Sequence, residues 1–253
     1  MFFIFAIPFF VASLFHLIST FFKNQKIADV SKILLMPLLA LGCISFAFMQ
    51  NTPWLTTLLL TCALIGGTFG DYYMLKPKDN RFYLLGILTF FIGHVFYAAL
   101  ILMHSQIKLY SIWQVIILVA IYAVFGTSMY IMLGKPKKLI GFATVAYACT
   151  LFAINFLCIT PVIGSLFFTK ADIGCASWVR LCGNLSFLLS DSVLSMTIFT
   201  KDFKGSRFFI MLTYLTAQFL LATSFFIWYL APTKLSFYNR GSLLNFFTED
   251  LHG

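Results

Sequence analysis

Charge is scarce in this chain. Asp, Glu, Lys and Arg make up only 10% of its 253 residues, against about 25% in soluble domains. The shortage falls hardest on the acids, with eight Asp and Glu against seventeen Lys and Arg. No internal repeat and no polar stretch long enough for a separate soluble domain is visible. The six cysteines (Cys43, Cys62, Cys149, Cys158, Cys175 and Cys182) include no C-x-x-C pair. They read as small buried apolar residues, not as disulfides or ligands. There is no Gly-x-Ser-x-Gly elbow, no His-Glu-x-x-His and no glycine-rich phosphate loop. These absences remove the serine-hydrolase elbow, the zincin helix and the P-loop.

What the chain has instead is hydrocarbon: 61% hydrophobic residues and a mean hydropathy of +0.95. Eight apolar segments run approximately over 2–22, 33–49, 54–75, 82–103, 111–133, 138–159, 176–200 and 207–231. Each is near the roughly 20 residues that span a bilayer as a helix. In lipid the backbone must satisfy its own hydrogen bonds, so all eight are expected to be helices. The expected fold class is all-α, a polytopic bundle of eight transmembrane helices. It forms a single domain over 1–232, with a C-terminal tail, 233–253, that is interfacial or frayed. The first segment is too long for a signal peptide and no small-residue cleavage site follows it, so Met1 is expected to begin the mature first helix.

The net charge of +9 raises the question of nucleic acid. The basic residues, however, lie in short loops between apolar runs, which is a topology signal; no nucleic-acid partner is expected. Lys23, Lys26, Lys32, Lys76, Lys78, Arg81, Lys135, Lys137, Lys138, Lys201, Lys204 and Arg207 fall on one side, and Lys108, Lys170, Lys234 and Arg240 on the other. The positive-inside rule puts the first set in the cytoplasm and both termini outside.

Two acids lie within the apolar segments. Asp191 stands in the middle of the seventh, in Cys182-Gly183-Asn184-Leu185-Ser186-Phe187-Leu188-Leu189-Ser190-Asp191-Ser192-Val193-Leu194. Asp71 ends Gly66-Gly67-Thr68-Phe69-Gly70-Asp71 in the third. An ionised Asp at a helix centre costs about 2.5–3.5 kcal/mol on insertion scales. Each therefore needs either partners that glue helices or a chemical task. Asp71 falls about a turn and a half from the inner loop, and Asp191 about 15 Å from Lys201 at 1.5 Å per residue. His94 and Tyr97, Tyr147, Tyr214 and Gln218, and His16 fall at compatible depths, and Lys32 marks the inner end of the second segment. The pattern predicts one polar pocket opening toward the cytoplasmic leaflet.

Spacing assigns faces within it. Arg180, Asn184, Asp191 and Ser195 are 4, 7 and 4 apart and form one helical stripe. His94 and Tyr97 are i, i+3, and Tyr214 and Gln218 i, i+4. Ordinary roles stand beside each. His16 reads as a satisfied core histidine, and His94 equally as core or as substrate contact. The tyrosines are packing aromatics unless their neighbours recruit them, and Lys32 at a helix end snorkels by default. The glycines before Asp71 permit close helix approach or leave room for a ligand. A zinc site would need His16, His94 and both aspartates to converge, and no metal is expected.

Several motifs resemble the YhhN-like lysoplasmalogenase family. They are Lys32 before Met36-Pro37-Leu38, Gly70-Asp71-x-x-x-Leu75, Phe91-Ile92-Gly93-His94-Val95-Phe96-Tyr97, Gly183-x-x-x-Phe187-x-x-Ser190-Asp191-x-x-Leu194 and Tyr214-x-x-Ala217-Gln218. They cover segments two to eight in order. The resemblance implies hydrolysis of lysoplasmalogens, lysophospholipids whose one chain is joined to glycerol by a vinyl ether. The products would be a fatty aldehyde and glycerophosphoethanolamine or glycerophosphocholine. An enol ether must be protonated at carbon, which calls for a general acid and an anion near the developing cation. Asp71 and Asp191 would supply these in an order the sequence leaves open, one held protonated and the other ionised, as in glycosidase pairs. Lys32, His94, Tyr97, Tyr147, Asn184, Tyr214 and Gln218 are the candidate substrate-binding residues. No cofactor is required, and the expected partners are a lysophospholipid substrate and membrane lipid. The competing expectations are a transporter of a small lipid or cation using the same carboxylates as a proton relay, and a metal-dependent intramembrane lipid hydrolase.

Overall fold

The structure is a computed structural model that describes residues 2–76, 79–104, 112–133, 138–169 and 173–230. Every regular element among them is helical: α1 (Phe2–Phe5), α2 (Ile7–Phe21), α3 (Gln25–Gln50), α4 (Trp54–Tyr73), α5 (Asn80–His104), α6 (Ile112–Leu133), α7 (Lys138–Ile163), α8 (Gly174–Phe199) and α9 (Ser206–Leu230). A π-helical stretch, Gly164–Thr169, continues α7. Each predicted apolar segment is thus helical, with two departures. The second segment begins earlier, at Gln25, where the Asn24 side chain accepts the Ile27 N–H. The first is broken at Ala6, because Pro8 in the opening turn of α2 has no N–H to give the preceding turn. Lys78, Lys108, Lys135, Lys137, Lys170, Lys234, Arg240 and the tail 233–253 lie outside the described residues.

Among the described residues, six helices are long and apolar enough to cross a membrane: Gln25–Gln50, Trp54–Tyr73, Asn80–His104, Leu139–Phe167, Gly174–Phe199 and Ser206–Ile227. Two apolar stretches are shorter, Ile7–Phe21 and Val115–Ser128. The protein is a multi-pass membrane protein. Its outer surface carries large apolar side chains such as Phe48, Trp54 and Val124, as a lipid-facing belt requires. Cys43 and Cys158 are in the core, but Cys149, Cys175 and Cys182 are exposed, which corrects the reading of all six as buried. They face outward on α7 and α8, where a thiol is as much at home in lipid as in a core.

Seven helices close a cycle of neighbours, α2–α3–α4–α5–α7–α8–α9 and back to α2. Helix α6 stands outside it, against α7 and α8. Helix α4 lies close on α5: a Cβ on Gly66 would lie 2.8 Å from the Gly93 Cα. Two glycines facing each other let the backbones touch and bring Asp71 and His94 into the same interior. The helix ends also share a polarity. Lys23, Lys26, Lys76, Arg81, Lys201, Lys204 and Arg207 cluster at one end, where the Arg207 Nη1 donates to Gln25 Oε1 across α9 and α3. The described loops at the other end carry no Lys or Arg.

Candidate active site

Both aspartates have hydroxyl partners, but their surroundings differ. Asp71, in the last turns of α4, is 2% exposed. Its Oδ1 lies 3.5 Å from the Lys32 Nζ on α3, and its Oδ2 accepts the Tyr214 O–H of α9 at 2.9 Å. Three helices therefore seal this carboxylate. Asp191, in α8, is only partly buried. Its Oδ2 accepts the Tyr147 O–H of α7 at 2.5 Å. Among the described residues, Lys32–Asp71 is the ion pair that reaches either acid. Lys32 thus turns inward to a carboxylate, where its default reading was a snorkelling residue.

The two acid–tyrosine pairs are joined through His94 and Phe187. The His94 ring is 5.6 Å from Tyr147 and 4.4 Å from Phe187, and Phe187 is 5.5 Å from Tyr214. His94 Nδ1 is 2.8 Å from the Phe90 carbonyl oxygen, which can only accept, so Nδ1 carries a proton. His94 Nε2 is buried and has no hydrogen-bond partner among the described residues. Asn184 on α8 is fully buried, and neither amide atom has a hydrogen-bond partner among the described residues. Tyr97 donates to Gln218 Oε1 at 2.6 Å, a link from α5 to α9.

Every predicted site residue thus lies in the helix cycle, yet not as one pocket. Two cavities meet at Asp191. One, of about 80 Å³, lies between α6, α7 and α8 and is walled mainly by apolar groups, with Tyr147, Asp191, Ser192 and Ser195 as its polar side. The other, about 20 Å³, shares Thr144, Tyr147, Asp191 and Ser195 and runs to Met74, Tyr83 and Ile198 near the basic end. Neither is lined by Asp71. Beside Asp71 stand the Lys32 ammonium and the Tyr214 hydroxyl. The glycines before it serve packing: Gly66 meets Gly93, and Gly70 lies under the Phe90 ring.

The predicted stripe on α8 also divides. Asn184 and Arg180 are buried, Arg180 over the Phe225 ring at 4.9 Å and near Ser224, while Asp191 and Ser195 border the cavities. His16 is the core histidine expected, hydrogen-bonded to Ser31 at 2.8 Å. Sequence reasoning missed Thr144, Phe152 and Gly126, which line the larger cavity. Small polar or aromatic residues in apolar helices carry no signal of their own. Among the described residues no three His, Cys, Asp or Glu side chains gather where one metal ion could bind them.

No match to the chain is found among curated proteins or among solved structures. A family match does exist, to the YhhN family over residues 27–225. It runs from the first turn of α3 to α9 and encloses Lys32, Asp71, His94, Tyr147, Asp191 and Tyr214. The chain belongs to the YhhN family.

Proposed function

We propose that the protein is an integral-membrane lysoplasmalogenase with eight membrane crossings and its basic end in the cytoplasm. It hydrolyses the vinyl ether of a lysoplasmalogen to a fatty aldehyde and glycerophosphoethanolamine or glycerophosphocholine. Membership of the YhhN family, a family of lysoplasmalogenases, supports this reading. The observation that carries it is the contrast between the two carboxylates. Asp71 is sealed beside a lysine ammonium, whereas Asp191 borders two cavities and has a tyrosine hydroxyl on one oxygen only.

Asp191 is the general acid in this mechanism. Tyr147 holds Oδ2, and Oδ1 gives its proton to the distal carbon of the vinyl ether. The C=C electron pair forms the new C–H bond, and the ether oxygen shares the resulting positive charge as an oxocarbenium ion. Water adds to the carbon bonded to oxygen and returns a proton to Asp191. The hemiacetal then breaks its C–O bond, with proton transfer to the glycerol oxygen, releasing aldehyde and alcohol. The Asp191 carboxylate left after protonation faces the cation, and the Lys32–Asp71 pair fixes a second dipole behind it. His94 Nε2, which is buried with a lone pair to offer, orients the water. Asn184 binds a polar group of the substrate, while Tyr97 and Gln218 hold Tyr214's helix in register.

Purified protein given a lysoplasmalogen should release fatty aldehyde in step with glycerophosphodiester. Asp191→Asn should lower kcat by about 10²–10⁴-fold, the range of a lost general acid. Undiminished aldehyde release from a folded Asp191→Asn protein rejects the assignment.

A further inference from the structure

Helix α6 is the least anchored of the long helices. Leu118 is its one buried residue among those described, while Ile116, Ile117, Val119, Ile121 and Val124 are exposed. Its hold on α7 centres on a single ring: Phe152 stacks on Tyr122 at 5.2 Å and meets Phe125 edge-on at 5.8 Å. Gly126 makes room for that ring, since a Cβ there would lie 3.1 Å from it. The larger cavity begins at this clasp and ends at Tyr147 and Asp191. The narrower one continues from the same two residues to Met74 and Tyr83. Met74 is two residues before Lys76 and Tyr83 two after Arg81, at the basic end.

We infer that the cleft between α6, α7 and α8 seats the single hydrocarbon chain of a lysophospholipid, admitted sideways from the bilayer past α6. The inference rests on the lysolipid reading above and names the route and the residues that select the chain. The geometry is that of the ligand: an apolar trough, a carboxylate at its end, and a narrow passage onward to Met74 and Tyr83, each two residues along the chain from a cation that attracts a phosphate. A chain moving from lipid into this trough exchanges one apolar surface for another, so shape rather than burial decides what enters. The walls beside Asp191, with Phe125, Leu151, Phe152 and Leu188 among them, suit a hydrocarbon chain.

The test is photo-crosslinking in nanodiscs of phosphatidylcholine. The probe is a lysophosphatidylcholine with an ester-linked chain that bears a diazirine. This probe has no vinyl ether, so labelling reports binding and not turnover. Mass spectrometry should place the label on peptides of α6 and α7 around Phe125 and Phe152. Gly126→Trp, which fills the cleft, should cut labelling by about tenfold. Ser192→Phe, reaching the same space from α8, should do likewise, and Val119→Trp on the lipid-facing side should not. Thermal midpoints establish that each variant is folded. Labelling spread over the outer belt, or unchanged by both filling variants, overturns the inference. Cleft labelling by a protein that cleaves no vinyl ether keeps the seat and overturns the enzyme. Cleavage without cleft labelling does the reverse.

Discussion

Lys32 and Asp71 meet between α3 and α4, with Nζ 3.5 Å from Oδ1, and the carboxylate's other oxygen is taken by Tyr214. Separating such a pair leaves one charge buried alone, which costs about 3–5 kcal/mol. Lys32→Met should therefore lower stability by that amount. The double variant Lys32→Met with Asp71→Asn should regain most of it, because no uncompensated charge remains. Thermal unfolding in detergent measures both. Equal loss in the single and double variants would show that the pair is not coupled.

Tyr147 and Asp191 are joined by a 2.5 Å hydrogen bond. Tyr147→Phe keeps the ring against His94 and removes only the hydroxyl. A hydrogen bond to a charged group is worth about 1.5–3 kcal/mol, so kcat should fall by about 10–150-fold. KM should stay near its original value, since the cleft walls are unchanged. Steady-state kinetics in mixed micelles separates the two parameters.

Asn184 is buried with neither amide atom hydrogen-bonded. An unsatisfied buried amide costs about 1–3 kcal/mol. Asn184→Leu, similar in size, should raise the unfolding temperature while removing activity. A stable variant that remains active would show that the amide does not meet substrate.

Gly66 and Gly93 set the distance between α4 and α5. A methyl group on Gly66 would overlap the facing Cα at 2.8 Å. Gly66→Val should cost about 1–3 kcal/mol through overpacking. It should also lower activity, because the shift moves Asp71 away from Tyr214. Thermal midpoint and aldehyde release on the same preparation check both effects.

Hydropathy alone revealed the helices, since the bilayer permits few other backbones. It did not reveal the break at Ala6, because a long apolar run looks continuous whether or not Pro8 restarts the helix. Depth was also legible: Asp71, His94, Tyr147, Asp191 and Tyr214 do belong to one linked set. Rotation about each helix axis was not. Whether Lys32 turns toward lipid headgroups or toward Asp71 depends on how α3 is rotated against α4, and no i, i+4 pattern within one helix fixes that. For the same reason the sequence could not tell that Asp191 borders both of the cavities described above while Asp71 meets Lys32 and Tyr214.

The closing contact of the helix cycle is between the first long helix and the last, α2 and α9. This has a consequence for biogenesis. As the chain leaves the ribosome, Lys32 and Asp71 emerge early and on adjacent helices, so their charges can neutralise each other during insertion. Tyr214 and Gln218 emerge only with α9. Until then Asp71 lacks its hydroxyl donor and Tyr97 its acceptor. The carboxylate centre is thus completed only once α9 is in place, and a nascent chain stopped before Ser206 holds the ion pair but not the finished site.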